Sequence, residues 1–296
     1  NPVDTGHTRC AEPKLRRFAD ERAAIETMPA FYWKRLRPFP SLVETARHTG
    51  SGHSRHPRNH ILEVGLMRPF REILSMAVKR HGSLEAVEAR IEHPAPITDL
   101  LARSDDRWLA DMTRHVFNAG FSRKVIRDKW PGFEAAFKGF DPSVCAIMDD
   151  DWFDMLLKDP RIVRNGARIR SVQRNAMFIL DETERHASFG AFIAAWQHKD
   201  FADVLDYLRK HGDRLGDKTA QYFLREAGVD SYVLSFDVLK RLSLEGVADT
   251  LPASSKQRRA IQNAFDGWKE ESGKSLTYIS RVLAMSVESD RQPRFT

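Results

Sequence analysis

Several stretches of this chain combine residue types that act on phosphates. Gly216-Asp217-Lys218-Thr219-Ala220 follows one helical stretch and opens another. A helix that begins on a glycine turn presents amide N–H groups with no intrahelical partner, and its positive end favours an anion such as phosphate. Gly216, Lys218 and Thr219 are therefore candidate phosphate contacts; the alternative is a glycine turn between packed helices. Arg161, Arg164, Arg168 and Arg170 crowd around another predicted helix start. They form either a solvated face or a set of contacts that position a nucleic-acid backbone without reading its sequence. Ser254-Ser255-Lys256-Gln257-Arg258-Arg259 offers a further helix start with cations. Ser235 and Asp237 are both residue types that cap helices. Cys10 and Cys145 give neither a four-cysteine cluster nor a paired zinc spacing.

The elements that must carry these residues are almost all helical. Phe70, Ile73, Leu74, Ala77 and Val78 form one apolar stripe at helical spacing. Ser83 is placed to cap a helix running to about Ile91, before His93-Pro94-Ala95-Pro96 breaks the chain. A helix is expected from Asp105 or Asp106 through Phe117, and another from Ser122 that ends before Pro131-Gly132. Short helices follow Asp141-Pro142 and Asp149, and a long one runs from about Val163 to Asp181. Further helices are expected near 187–196, 200–210, 217–227, 236–244, 255–271 and 275–286. No alternating strand pattern is present, so the expectation is an all-α fold, a compact helical bundle of two lobes. Trp108, Met112 and His115 or Val116 share one helical face, which assigns most nearby aromatics to the core.

At 296 residues with 42% hydrophobic content the chain can bury a real core. It has no apolar run of about 18 residues that would span a membrane. Net charge is +6, which suits a nucleic-acid partner. Residues 1–66 carry 11 Lys/Arg against 7 Asp/Glu, so most of the excess lies there. That segment also holds five of the 11 histidines and a Gly/Ser/His/Arg-rich run at 48–58. It reads as a disordered or non-native extension with one amphipathic piece at about 14–27, and residues 67–290 read as the folded domain, with Met67 a possible natural start.

The segments Asn118-Ala119-Gly120-Phe121-Ser122, Phe137-Lys138-Gly139-Phe140-Asp141, Met148-Asp149-Asp150-Asp151, Leu156 to Asn165, Ala167-Arg168-Ile169 and Asn175-Ala176 occur in that order. In order and spacing they resemble the DNA-3-methyladenine glycosylase I family of helix-hairpin-helix DNA glycosylases. The resemblance implies a helix-hairpin-helix fold, with Gly216 to Ala220 as the second half of a hairpin that grips the DNA backbone. It implies hydrolysis of the N-glycosidic bond of an alkylated purine, of the 3-methyladenine type, flipped out of the duplex. The flipped base would lie in a pocket containing Asn118, Phe121, Arg123 and Trp130. Aromatic walls suit a cationic base, by about 0.5–2 kcal/mol. Asn118, with donor and acceptor, suits a base edge. A catalytic Asp at a helix start falls on Ser235 by apolar alignment and near Asp237 by spacing from Lys218.

The departures define a divergent, zinc-free branch. His115 stands where the family carries a pocket Glu, Asn118 replaces a Gln, and Arg123 replaces a Trp. Asp213-Arg214 replaces the Pro-Gly of the hairpin, and the family zinc set is unmatched. His115 is expected either to read a base edge or orient water, or to be a partly buried helix histidine with a hydrogen-bond partner. Two other readings compete. Lys218 resembles the Schiff-base lysine of endonuclease III relatives, with Asp237 as its acid partner, which would add strand cleavage. The other is a non-catalytic binder of damaged DNA. No cofactor or metal is expected. The expected partner is double-stranded DNA with alkylated bases, bound by a monomer with no membrane association, in a bacterial cytoplasm and associated with the nucleoid when on DNA.

Overall fold

The computed structural model describes residues 67–196 and 199–289, so the 1–66 extension and its expected helix at 14–27 lie outside the described residues. Every regular element among the described residues is helical. The first, α1 (Phe70–His81), buries Phe70, Ile73 and Ala77 and ends on Gly82 at φ 94°. Ser83 caps α2 (Leu84–Glu88) by accepting from the Ala86 amide at 3.1 Å. The proline-rich break is followed by an unanticipated short helix, α3 (Ile97–Ala102). Its Ile97 and Leu100 are buried, so tertiary packing sustains a segment whose local pattern is weak.

Helix α4 (Asp105–Asn118) begins after Ser104 and carries the expected apolar face. The next helix, α5 (Arg123–Ala136), corrects the sequence reading, because it runs through Pro131 instead of ending before it. Proline there costs one helical hydrogen bond and crowds the preceding turn. Burial of Phe133 and Ala136 on the far side of Pro131 offsets that cost. Gly132 is needed for packing: a Cβ there would lie 2.5 Å from the Arg161 carbonyl oxygen. The chain turns instead at Lys138, Gly139 and Phe140, all at positive φ.

Asp141 caps α6 (Pro142–Ala146), and Asp149 caps α7 (Asp150–Lys158). The long helix α8 (Gly166–His186) starts three residues later than expected, because Asn165 caps it by accepting from the Arg168 amide. Then come α9 (Phe189–Trp196), α10 (Phe201–His211), α11 (Asp217–Glu226), α12 (Phe236–Leu244), α13 (Ser255–Ser272) and α14 (Leu276–Met285).

The helices group into two lobes. In one, α8 packs on α6, α4 and α9, and α9 packs on α3. The close approach of α9 to α3 depends on Gly190, where a Cβ would sit 2.2 Å from the Leu100 carbonyl oxygen. In the other lobe α14 packs on α12, α1 and α13. Arg68, just before α1, meets Glu245 at 2.9 Å, and the buried pair Arg241–Glu245 is 3.1 Å apart. Arg241 also donates to the Ser286 carbonyl and hydroxyl oxygens, so this ionic centre ties three stretches of chain together. Between the lobes, α11 lies against α4 and α10 against α13. No helix among the described residues is long and apolar enough to cross a membrane.

Candidate active site

Helices α10 and α11 form a helical hairpin joined by the turn at 212–216. Its turn is pinned from α8 by Asn175, which is almost fully buried. The Asn175 amide nitrogen donates to the Asp213 carbonyl oxygen at 3.0 Å, and its amide oxygen accepts from the Asp213 N–H at 2.7 Å. Arg174 pairs with the Asp213 carboxylate at 3.0 Å. Arg214 holds φ 61°, the left-handed conformation that favours glycine. Arg214 stands where the sequence departs from Pro-Gly, and it takes this conformation without being a glycine. Gly216 precedes α11 and gives no side-chain cap; the Thr219 amide donates to the Gly216 carbonyl oxygen at 3.1 Å, and the amides before it on that turn are left for an anion. Lys218 and Thr219 follow on that turn.

The cations near α8 divide. Arg161 is held by Asp159 through contacts of 2.7–3.1 Å. Arg170 pairs with Asp150 and lies 3.9 Å over the Phe153 ring. Arg168 donates to the carbonyl oxygens of Val116 and Phe117, closing the end of α4, and its guanidinium lies 5.1 Å over Phe121. These three are committed to local structure. Arg164 is exposed. Arg214 donates to the Ala167 carbonyl oxygen at 3.3 Å and is close enough to Arg168 for mutual repulsion. Hairpin cations and the α8 start therefore share one face.

Where the lobes meet there is a cleft of about 600 Å³. It is lined by Arg123, Tyr222, Arg225, Glu226, Ser235 and Arg281, among others. Three of these come from the last turns of α11. The stripe Trp108, Met112 and His115 on α4 is buried, and Phe223 of α11 meets it, with ring centroids 5.9 Å from Trp108 and 6.3 Å from His115. Glu226, one turn beyond Phe223, then falls beside the imidazole. The His115 Nε2 to Glu226 Oε2 distance is 3.1 Å, with His115 only 4% exposed and Glu226 46% exposed. The other oxygen, Oε1, lies 3.7 Å from Arg123, beyond hydrogen-bond distance. The His115 hydrogen bond holds the Glu226 carboxyl below the usual range; partial burial opposes it, and the charges of His115, Arg123 and Arg114 assist. Burial pushes the Arg225 guanidinium down to about 10, with the charge of Glu92 opposing. Arg225 donates to Ser231.

Of the residues predicted for the base pocket, Arg123 lines the cleft, and Asn118, Phe121 and Trp130 lie outside its lining. Arg123 lies 5.3 Å over the Tyr222 ring. Asn118 is one turn after His115 on α4, and its Oδ1 is buried with no hydrogen-bond partner among the described residues. Phe121 is 36% exposed and stacks on Phe117 at 6.5 Å. Trp130 is a correction. It is stacked between Phe133 and Phe140 at 5.5 and 5.4 Å, its N–H is satisfied by Glu134 at 2.9 Å, and it does not line the cleft. The stack forms because α5 continues past Pro131.

Ser235 caps α12 through the Val238 amide and lines the cleft. Asp237 sits one residue into α12. Its Oδ2 accepts from Ser289 at 3.4 Å, and its Oδ1 is buried without a partner among the described residues. Asp237 and Lys218 are both outside the cleft lining. Sequence reasoning missed Tyr222, Arg225 and Glu226. Their signal was the spacing Tyr222, Phe223, Glu226, which puts a carboxylate at the end of a buried face. Cys145 is buried, with its thiol pushed up to about 12 by burial and by Asp141. No group of three or more His, Cys, Asp or Glu among the described residues is arranged to hold a metal ion.

Residues 101–215 match the family model described as methyladenine glycosylase. Among solved structures, the chain is similar to 3-methyladenine DNA glycosylase I from Staphylococcus aureus, at 23% identity and a TM-score of 0.40, covering 43% of this chain and 77% of that one. It is also similar to the Methanocaldococcus jannaschii 8-oxoguanine DNA glycosylase, at 15% identity and a TM-score of 0.44, covering 71% of this chain and 89% of that one. The motif segments at 118–176 fall inside the matched residues.

Proposed function

We propose that this protein is a DNA N-glycosylase that flips an alkylated purine, of the 3-methyladenine type, into the interlobe cleft and hydrolyses its glycosidic bond. The family match over 101–215 supports a DNA glycosylase. The observation that carries the reading is the placement of the cleft at one end of α11, whose other end opens the hairpin. At 1.5 Å per residue the two ends are about 15 Å apart. A backbone phosphate at Gly216 and a nucleotide extruded into the cleft then belong to one short stretch of DNA.

In this reading Tyr222, which lines the cleft, supplies an aromatic face for the base. Arg164, Arg214, Lys218, Thr219 and the Gly216 amide hold phosphates, with Arg168 bracing them. A cationic alkylpurine leaves as a neutral base, so the enzyme need not protonate it. A monofunctional hydrolase is favoured over a lyase because Lys218 does not line the cleft. Methylated duplex DNA treated with the full chain should break only after alkali, which cleaves at abasic sites. Breaks without alkali, and borohydride-trapped adducts lost in Lys218→Ala, would overturn the monofunctional reading.

A further inference from the structure

We infer that Glu226 is the carboxylate that acts on the reacting sugar and water, with His115 as its positioning residue. The inference rests on the N-glycosylase reading of the same cleft. Sequence resemblance points to a carboxylate at the start of α12 or on α4. The structure puts Ser235 at the first place, as a helix cap, and His115 at the second. Asp237 points to Ser289 and does not line the cleft.

Two carboxylates do line it, Glu92 and Glu226. Glu92 is a highly exposed surface side chain 3.9 Å from Arg281. Glu226 is built differently. One oxygen lies 3.1 Å from a buried imidazole, and the other has no hydrogen bond among the described residues and lies 3.7 Å from Arg123, which also lines the cleft. Its orientation is set by the contact of Phe223 with Trp108 and His115, deep in the packing between α11 and α4. Holding a glutamate side chain in one orientation costs rotamer entropy of up to about 2 kcal/mol, and the contact with the buried His115 offsets that cost.

The chemistry balances. Water adds to C1′ of the flipped nucleotide, and the C1′–N bond breaks with its electron pair leaving on the base. An N-alkylated cationic purine departs neutral. One proton of the water passes to Glu226 and then to solvent, and the other stays on the sugar hydroxyl. As C1′ becomes electron-deficient, the anionic Glu226 stabilises the developing positive charge. His115 keeps the carboxylate ionised and aimed. Arg123, 63% exposed and held among the described residues by a 3.7 Å contact and the Tyr222 ring, is free to move off the carboxylate when a base enters.

The test uses the full chain on methylated duplex DNA in single-turnover conditions, with Glu226→Gln, Glu226→Asp, His115→Asn and Asp237→Asn. Affinity is measured in parallel for duplexes carrying a cationic pyrrolidine or a neutral tetrahydrofuran abasic analogue. Glu226→Gln should slow base release by about 10²-fold or more. It should keep tetrahydrofuran affinity within about twofold and lose the wild-type preference for pyrrolidine, with Glu226→Asp intermediate. His115→Asn should raise the pH at which the rate falls on the acid side, since Glu226 then keeps only Arg123 and Arg114 to hold it ionised. A Glu226→Gln rate within about threefold of wild type would overturn the assignment. So would loss of release in Asp237→Asn alone. Absence of base release by the wild type overturns the glycosylase reading, and a wild type with no preference for pyrrolidine overturns the role of Glu226 independently of turnover.

Discussion

Replacing Asn175 by alanine tests whether the hairpin is held from α8. The Asn175 amide makes two hydrogen bonds, both to the backbone of one residue, Asp213. The substitution leaves that N–H and C=O without partners. Each buried unmet group costs about 1–3 kcal/mol. Asp213 is only partly buried, so water reaches it and the lower end applies, about 1 kcal/mol for each group. The small cavity left beside the buried α8 face adds about 0.5–1 kcal/mol. The expected total is a loss of about 2–3 kcal/mol in urea unfolding, seen as a lower midpoint with an unchanged slope. Freed from the clamp, Arg214 leaves its left-handed conformation, which otherwise costs about 1–2 kcal/mol. The Gly216 amide then loses its fixed position, and DNA affinity should fall by about tenfold at fixed salt, equivalent to about 1.4 kcal/mol. A stability loss under about 0.5 kcal/mol together with unchanged DNA affinity would refute the clamp.

The remaining predictions address other parts of the molecule. Arg214→Gly should raise stability by about 1 kcal/mol by removing the positive-φ strain, yet weaken DNA binding and lower the salt slope by about one, since one phosphate cation is gone; equilibrium unfolding and salt-titrated binding read the two effects. Glu245→Ala should cost about 3–5 kcal/mol, because Arg241 would remain buried without its partner; thermal unfolding measures it. Gly190→Ala should be strongly destabilising, since a Cβ there would meet the Leu100 carbonyl oxygen at 2.2 Å, and a melting temperature equal to wild type would contradict the close approach of α9 and α3. The Glu226 carboxyl is held low chiefly by the His115 hydrogen bond, so its folded value lies below its unfolded one. Its stabilising contribution is therefore complete above the usual glutamate range and is lost as pH falls through the folded value. Wild type should lose stability relative to Glu226→Gln only on that acid side, in unfolding curves taken across pH.

Much of this fold was legible in the sequence because helices announce themselves locally. The caps at Ser83 and Ser235 and the apolar stripes of α1 and α4 are patterns within a few residues, and they match the observed helices. Pro131 misled because its local cost is visible in sequence, whereas the gain from burying Phe133 beyond it comes from tertiary packing. Segment 97–102 was missed for the same reason. The candidate site was less legible. The hairpin glycine and its cations are contiguous, but the partner of His115 is contributed by Glu226, from a helix far along the chain. Nothing near His115 in sequence signals that contact. The role of Arg168 was also hidden, since its bonds to Val116 and Phe117 are long-range.

Base release from methylated duplex DNA by the full chain, with products separated by chromatography, tests the central claim most directly. The account predicts free 3-methyladenine, formed at a rate that collapses in Glu226→Gln. Tight binding to methylated DNA with no free base of any kind would contradict it, leaving a damage-binding protein without the chemistry.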